Sequence, residues 1–313
     1  MPDAPRLGID PFAPDAKAER IADRPGVHEA LRQAGPLVQV EAPAGGPAWI
    51  VTDDTLARQV LADPRFAKDP ALAPTHWHGH DPSLELPAAH ARSMTTLDGP
   101  QHRQMRRAHA PMFTRRRILD SRDRITTIAR DLLAGLAEES ARTRDPVDLA
   151  AGFTTHYPLL TVCDLLGIPL TDTGGAMRAG RTMTHDDADQ AYAGFADLEA
   201  MVRAALHAGH EDSQAHSAVL AQRVRAEFGD VRDDELLYMI TGLVFAGQVT
   251  TEAFLGFLLA HQLASHLSPA DDDVDAFVTE TLRLHPPAPS PCGASPPAPW
   301  NWPARRCPPA PRS

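Results

Sequence analysis

With 313 residues, 43% of them hydrophobic, the chain can bury a large core in one domain or two. Its 30 basic and 41 acidic residues leave a net charge of −11, which argues against a general nucleic-acid binder held by phosphate contacts. Three cysteines, Cys163, Cys292 and Cys307, fit neither a disulfide framework nor a zinc site. The start, MPDAPRLGIDPFAPDAK, lacks the basic residues and apolar run of a secretory signal, so the expected setting is reducing and cytoplasmic.

After a proline-rich lead-in, Val27–Ala34 reads as a short helix stopped by Gly35-Pro36. Two strand-like runs, Leu37–Glu41 and Ala48–Thr52, flank PAGGP and predict a hairpin. Asp53 is placed to cap a helix over Asp54–Ala62, and Pro64 to about His90 reads as loop, including His76, His78 and His80. Those alternating histidines could bind a metal, but they read more simply as a polar surface. Gly99-Pro100 opens another helix, and apolar residues recur at helical spacing at Ile125, Ile128, Leu132, Leu133 and Leu136. The same spacing returns at Tyr192, Phe195, Leu198, Val202 and Leu206. One early hairpin followed by many helices predicts a mainly α fold with a small β element.

Asp234–Ala264 predicts one long helix, apolar on nearly every face and suited to the interior of a large domain. Its run without formal charge, Leu236–Thr251, is 16 residues. That is shorter than the ~20 residues a bilayer span needs, so a membrane helix is not expected. In its middle stand Ala246-Gly247 and Thr250-Thr251, where packing alone would favour leucine. A helix-interior glycine costs about 1 kcal/mol against alanine, so something must approach the backbone closely there.

Three groups of residues carry chemistry. In GPQHRQMRR, His102 and Arg106 stand four apart on one helix face and could clamp a carboxylate or phosphate. AGQVTT places small residues and hydroxyls inside the long helix. In ETLR, Glu280 and Arg283 are spaced for an ion pair within one helix. In this order the three resemble a bacterial cytochrome P450, over about nine-tenths of the chain from the hairpin to Pro287. The resemblance implies that His102 and Arg106 bind haem propionates and that Ala246 and Gly247 make room for dioxygen. It further implies that Thr250, with Thr251 beside it, helps deliver a proton, and that Glu280 and Arg283 hold the core under the haem. The implied activity is haem-iron monooxygenation of a small hydrophobic organic substrate with O2, the electrons coming from a ferredoxin-type redox partner. In such a protein the substrate is set by about Asp69–Ser93 and by helices around Leu170–Gly209.

Two positions depart from the family pattern. Val249 stands where many members carry an acid before the threonine, leaving proton delivery to Thr250, Thr251, Gln248 and water. Nothing after Glu280 resembles the glycine-rich loop that bears the family's axial cysteine; Cys292 and Cys307 lie in proline-rich sequence too close to ETLR. The last 28 residues hold 11 of the 30 prolines and no acid. The organisation expected is therefore a partial cytochrome P450 domain over 1–287, incomplete at its C-terminus, and a disordered tail over 288–313 read out of frame. Without a thiolate to push electron density toward O–O cleavage, these 313 residues are expected to be inactive as they stand. Two other readings remain: a non-catalytic helical binding protein derived from this family, and a metal-dependent phosphohydrolase using His156 and His185-Asp186-Asp187.

Overall fold

The computed structural model describes residues 26–41, 46–69, 72, 92–168, 172–183, 188–208, 216–265 and 273–286. The expected lead-in, the histidines at 76–80, His185-Asp186-Asp187, Cys292, Cys307 and the tail from 287 lie outside the described residues. A first helix, α1 (Gly26–Ala34), lays Val27 and Leu31 on Val38 and Val40 of β1 (Leu37–Glu41). β1 pairs antiparallel with β2 (Pro47–Val51), Val38 opposite Ile50. The turn into β1 uses Gly35 at φ +130°, a conformation that side chains resist. α2 (Asp54–Ala62) begins where expected, its Leu56 N–H donating to the Asp53 carboxylate at 2.8 Å.

Helices make up nearly all the rest. α3 (Gly99–His109) runs through a 3-10 turn, Ala110–Phe113, into α4 (Arg115–Asp120) and α5 (Arg122–Thr143). A π-helical turn at Ala150–Thr154 leads to α6 (His156–Leu166). Then follow α7 (Thr173–Met183), α8 (Ala188–Ala208), α9 (His216–Phe228), α10 (Asp233–Ser265) and α11 (Val274–Leu284). The apolar stripe on α8 is core, with Phe195, Leu198 and Val202 buried. The stripe on α5 is only half-buried, and Leu133 is exposed. α5 is an outer layer that packs by Leu136 on the bare backbone of Gly152.

The main core gathers around the first half of α10, where Leu236, Leu237, Met239, Ile240 and Val244 are all buried. The same core takes in Met105 and Ala108 of α3, Leu159 and Cys163 of α6, Leu198 and Val202 of α8, and Leu220 and Val224 of α9. α6 meets α10 at Gly247, where a Cβ would lie 2.9 Å from Val162 Cγ2. The glycine is thus explained by a helix neighbour. By length and composition alone α10 could cross a membrane, so the short charge-free run does not by itself exclude a span. Its first half, however, is enclosed by protein.

The start of α10 is held by a charged clamp. Arg92 donates from Nε and Nη2 to the two Glu235 carboxylate oxygens, each at 3.0 Å. Arg92 also donates to the Asp230 carbonyl at 2.5 Å, and the Arg232 N–H donates to Glu235 at 3.1 Å. The Glu235 side chain is 3% exposed, and the Arg92 hydrogen bonds hold its carboxyl down to about 2 from an ordinary 4.5. A depressed carboxylate stabilises the fold above its unfolded value. The Glu235 contribution is therefore complete above pH 4.5 and lost as pH falls toward 2.

Two outcomes follow for stability. Arg92→Ala, which strands a buried carboxylate, is expected to lower unfolding stability at neutral pH by about 3 kcal/mol. Glu235→Gln should flatten the acid limb of stability below pH 4.5, read by denaturant titration at several pH values. At the α6–α10 crossing, Gly247→Ala adds helix propensity but overfills the contact with Val162, for a net loss of about 1 kcal/mol. Val162→Ala in that background should restore part of the loss, giving a coupling of about 1 kcal/mol in a double-mutant cycle.

Candidate functional site at the α3 start and the middle of α10

The N-terminus of α3 is assembled with a segment thirty residues upstream. Asp98 occupies the cap position in an extended conformation but makes no side-chain cap bond. Its carboxylate instead accepts the backbone N–H of Lys68 at 2.6 Å and of Asp69 at 3.2 Å. The Lys68 ammonium donates to the Met94 carbonyl at 2.9 Å, and the His102 N–H donates to the Asp98 carbonyl at 3.1 Å, one turn into the helix.

Lys68, His102 and Arg106 therefore form one cationic group. His102 is half-buried and Arg106 exposed, while Met105 and Ala108 anchor the opposite face of α3 in the core. His109 is buried too, its Nδ1 2.8 Å from the Met105 carbonyl. Burial lowers the His102 imidazole below its ordinary value; Lys68 and then Arg106 lower it further, against an opposing pull from Asp98. Such a set of donors suits a bound carboxylate, which would relieve the crowding of positive charge. Sequence spacing found His102 and Arg106 but missed Lys68, one of only two lysines in the chain. The scarcity of lysine was the available signal.

The middle of α10 presents different faces to different neighbours. Ala246 is exposed, and the Thr250 hydroxyl donates back to its carbonyl at 2.6 Å. Thr251 and Val249 are half-buried. Gln248 is 1% exposed, and neither amide atom has a hydrogen-bond partner. It lies against Gly180 of α7, where a Cβ would come within 2.7 Å of its Nε2. Two residues from Thr250, it projects from the opposite side of the helix, which removes it from the expected proton-delivery group. Glu252, on the same side as Gln248, accepts the Thr155 hydroxyl at 2.6 Å.

In α11, Arg283 grips Glu280 through two hydrogen bonds, 2.7 Å from Nε and 2.6 Å from Nη2. The two side chains are 59% and 54% exposed. α11 joins α10 through His285, whose ring stacks on Phe257 at 4.4 Å between centroids and tilts against His261 at 5.0 Å. The three sequence groups are thus carried on one scaffold: α10 itself, α3 packed on α9 within the same core, and α11 packed on α10. Cys163 is the one cysteine among the described residues; it is buried in α6, and burial pushes its thiol up to about 12. No group of three or more metal-ligating side chains occurs among the described residues.

No protein-family model matches the chain. It is 48% identical over 309 residues to cytochrome P-450 monooxygenase DoxA of Streptomyces sp. (strain C5), a match covering 92% of this chain and 72% of that one. Vitamin D(3) 25-hydroxylase of Pseudonocardia autotrophica is 31% identical over 269 residues, covering 83% of this chain and 64% of that one. Among solved structures, CYP154C4 from Streptomyces sp. ATCC 11861 superposes with a TM-score of 0.68 at 25% identity, over 84% of this chain and 67% of that one. On these matches the chain belongs to the cytochrome P450 monooxygenase family.

Proposed function

We propose that this chain binds haem across α10, with Lys68, His102 and Arg106 taking the propionates and the face of Ala246 and Thr250 turned toward the ring. The observation that carries this reading is the half-buried His102, hemmed in by Lys68 and Arg106 at a helix start tied down by Asp98. A haem held there would supply dioxygen activation and insertion of one oxygen atom into an organic substrate. The chain's own part is to fix two carboxylates, to leave room above Ala246, and to offer the Thr250 hydroxyl as a proton relay. Glu280 and Arg283 brace α11 beneath. Family membership implies a small-molecule substrate, O2 and redox partners; a ferredoxin is the donor we propose. Relatives named for hydroxylating vitamin D(3) and mycinamicin IV support a hydrophobic substrate.

A second reading, a helical binding protein without monooxygenase activity, is favoured by the cysteines. The one cysteine among the described residues is buried with its thiol pushed up, and no glycine-rich cysteine loop follows Glu280. On this reading the chain binds little or no haem, and any haem held by carboxylate contacts and packing lacks a thiolate ligand.

Haem titration followed in the Soret region tests both readings. Lys68→Ala, His102→Ala and Arg106→Ala are each expected to weaken haem binding by about tenfold, the effect of losing one charged hydrogen bond. Reduction under carbon monoxide should give no thiolate-type band, and Cys292→Ser and Cys307→Ser should change nothing. A thiolate band lost in either variant would overturn the second reading. A bound carboxylate raises the His102 pKa from its lowered free position, so binding takes up a proton and haem affinity should rise as pH falls into the range where the free imidazole titrates. His102→Ala should remove that dependence.

A further inference from the structure

α7 and α8 pack side by side, and a cleft of about 290 Å³ opens between them. α7 lines it with Gly175, Arg178, Ala179 and Thr182, spaced three and four apart on one helix face. α8 closes it with Asp197, Ala200 and Met201 at the same spacing. Gly180, which rests on Gln248 of α10, falls on the other side of α7, so the cleft faces away from α10. Gly175 admits no side chain at one end of the cleft. A Cβ there would collide with the Asp172 carboxylate and lie 3.2 Å from Met201 Cε.

The polar groups of the cleft are unevenly matched. Asp172 accepts the Gly175 N–H at 2.7 Å and stands 3.9 Å from the Arg178 guanidinium, so that cation already has an anion beside it. Asp197 has no such partner: its carboxylate makes no hydrogen bond or ion pair among the described residues. The Thr182 hydroxyl donates to the Arg178 carbonyl at 2.9 Å, which leaves its oxygen to the cleft as an acceptor only. From this cleft we infer a binding site for a small organic ammonium ion. The ammonium donates to Asp197 and Thr182, and the hydrocarbon body lies against Ala179, Ala200 and Met201. Pockets for drug-sized ligands run from roughly 300 Å³ upward, so this one takes a single ring or a short chain. An organic carboxylate is disfavoured, because Arg178 is held by Asp172 and Asp197 repels it. α7 alone separates the cleft from Gln248, so a filled cleft steadies the helix that rests on α10.

The site needs no haem, so it stands or falls apart from the proposed function. The full chain, first without haem and then with it, is titrated with phenethylamine, and binding is read by calorimetry and hydrogen exchange. The same affinity is expected in both forms, with slowed exchange in α7 and α8. Phenethyl alcohol and hydrocinnamate keep the ring without the positive charge and should bind about tenfold more weakly. Asp197→Asn keeps the side-chain shape at an exposed position. It should weaken the amine about tenfold while circular dichroism and Tm stay unchanged. Ala200→Trp, at another exposed position, covers the cleft and should abolish the protection of α7. Equal binding of the alcohol, an Asp197→Asn variant that binds as the parent does, or an amine that binds only the haem-loaded chain overturns the inference. So does a titration that yields neither heat nor protection.

Discussion

One helix must serve as core on one side and as the floor of a site on the other, and the rest of the structure is arranged around that conflict. α10 is 33 residues long, about 50 Å at 1.5 Å per residue, longer than any single neighbour can cover. Its first half carries all of the helix's buried leucine, isoleucine and methionine, and α6 and α8 are its main helical neighbours. Its middle gives up side-chain volume at Gly247 to let α6 approach, and its buried Gln248 is accommodated by another glycine, Gly180 of α7. Small residues at these two crossings set how α6 and α7 lie on the helix, and so which face of Ala246 and Thr250 stays open.

The charged contacts place what packing alone would leave loose. Arg92–Glu235 fastens the segment before α3 to the start of α10, and Arg107–Glu227, at 3.1 Å, joins α3 to α9. Asp98 gives up the usual helix-capping bond in order to bind the backbone of Lys68 and Asp69. That exchange leaves the first N–H groups of α3 without a side-chain cap, but it brings Lys68 to His102. The Lys68 charge is held by the Met94 carbonyl, so binding an anion beside it would require little further ordering of that side chain.

The sequence made local features legible because local features depend on nearby residues. The long helix read as Asp234–Ala264 spans Asp233–Ser265, α2 has the bounds read for it, and Asp53 caps it. His102 and Arg106 share a helix face because the α-helical repeat demands it. What the sequence hid were partners distant in the chain. Lys68 reaches α3 only through Asp98, thirty positions on, and Arg92 meets Glu235 across 143 positions. Gly247 looked like space for a ligand because nothing in AGQVTT reveals Val162 on another helix. Gln248 looked like a polar participant, yet its position in the helical repeat turns it toward α7.

That orientation narrows the proton chemistry proposed for α10. With valine at position 249, no carboxylate precedes Thr250. Gln248 faces Gly180, and Glu252 lies on the same side, bound to Thr155. The Thr250 hydroxyl donates its one proton to the Ala246 carbonyl at 2.6 Å, so in this arrangement it can only accept further hydrogen bonds. To pass a proton outward it must rotate away from that carbonyl and accept a replacement from solvent or from Thr251. Loss of the carbonyl bond costs little while water reaches exposed Ala246, and more once a substrate dries it. In the role proposed for it, Thr250 would be a relay whose readiness depends on how wet the open face of α10 remains.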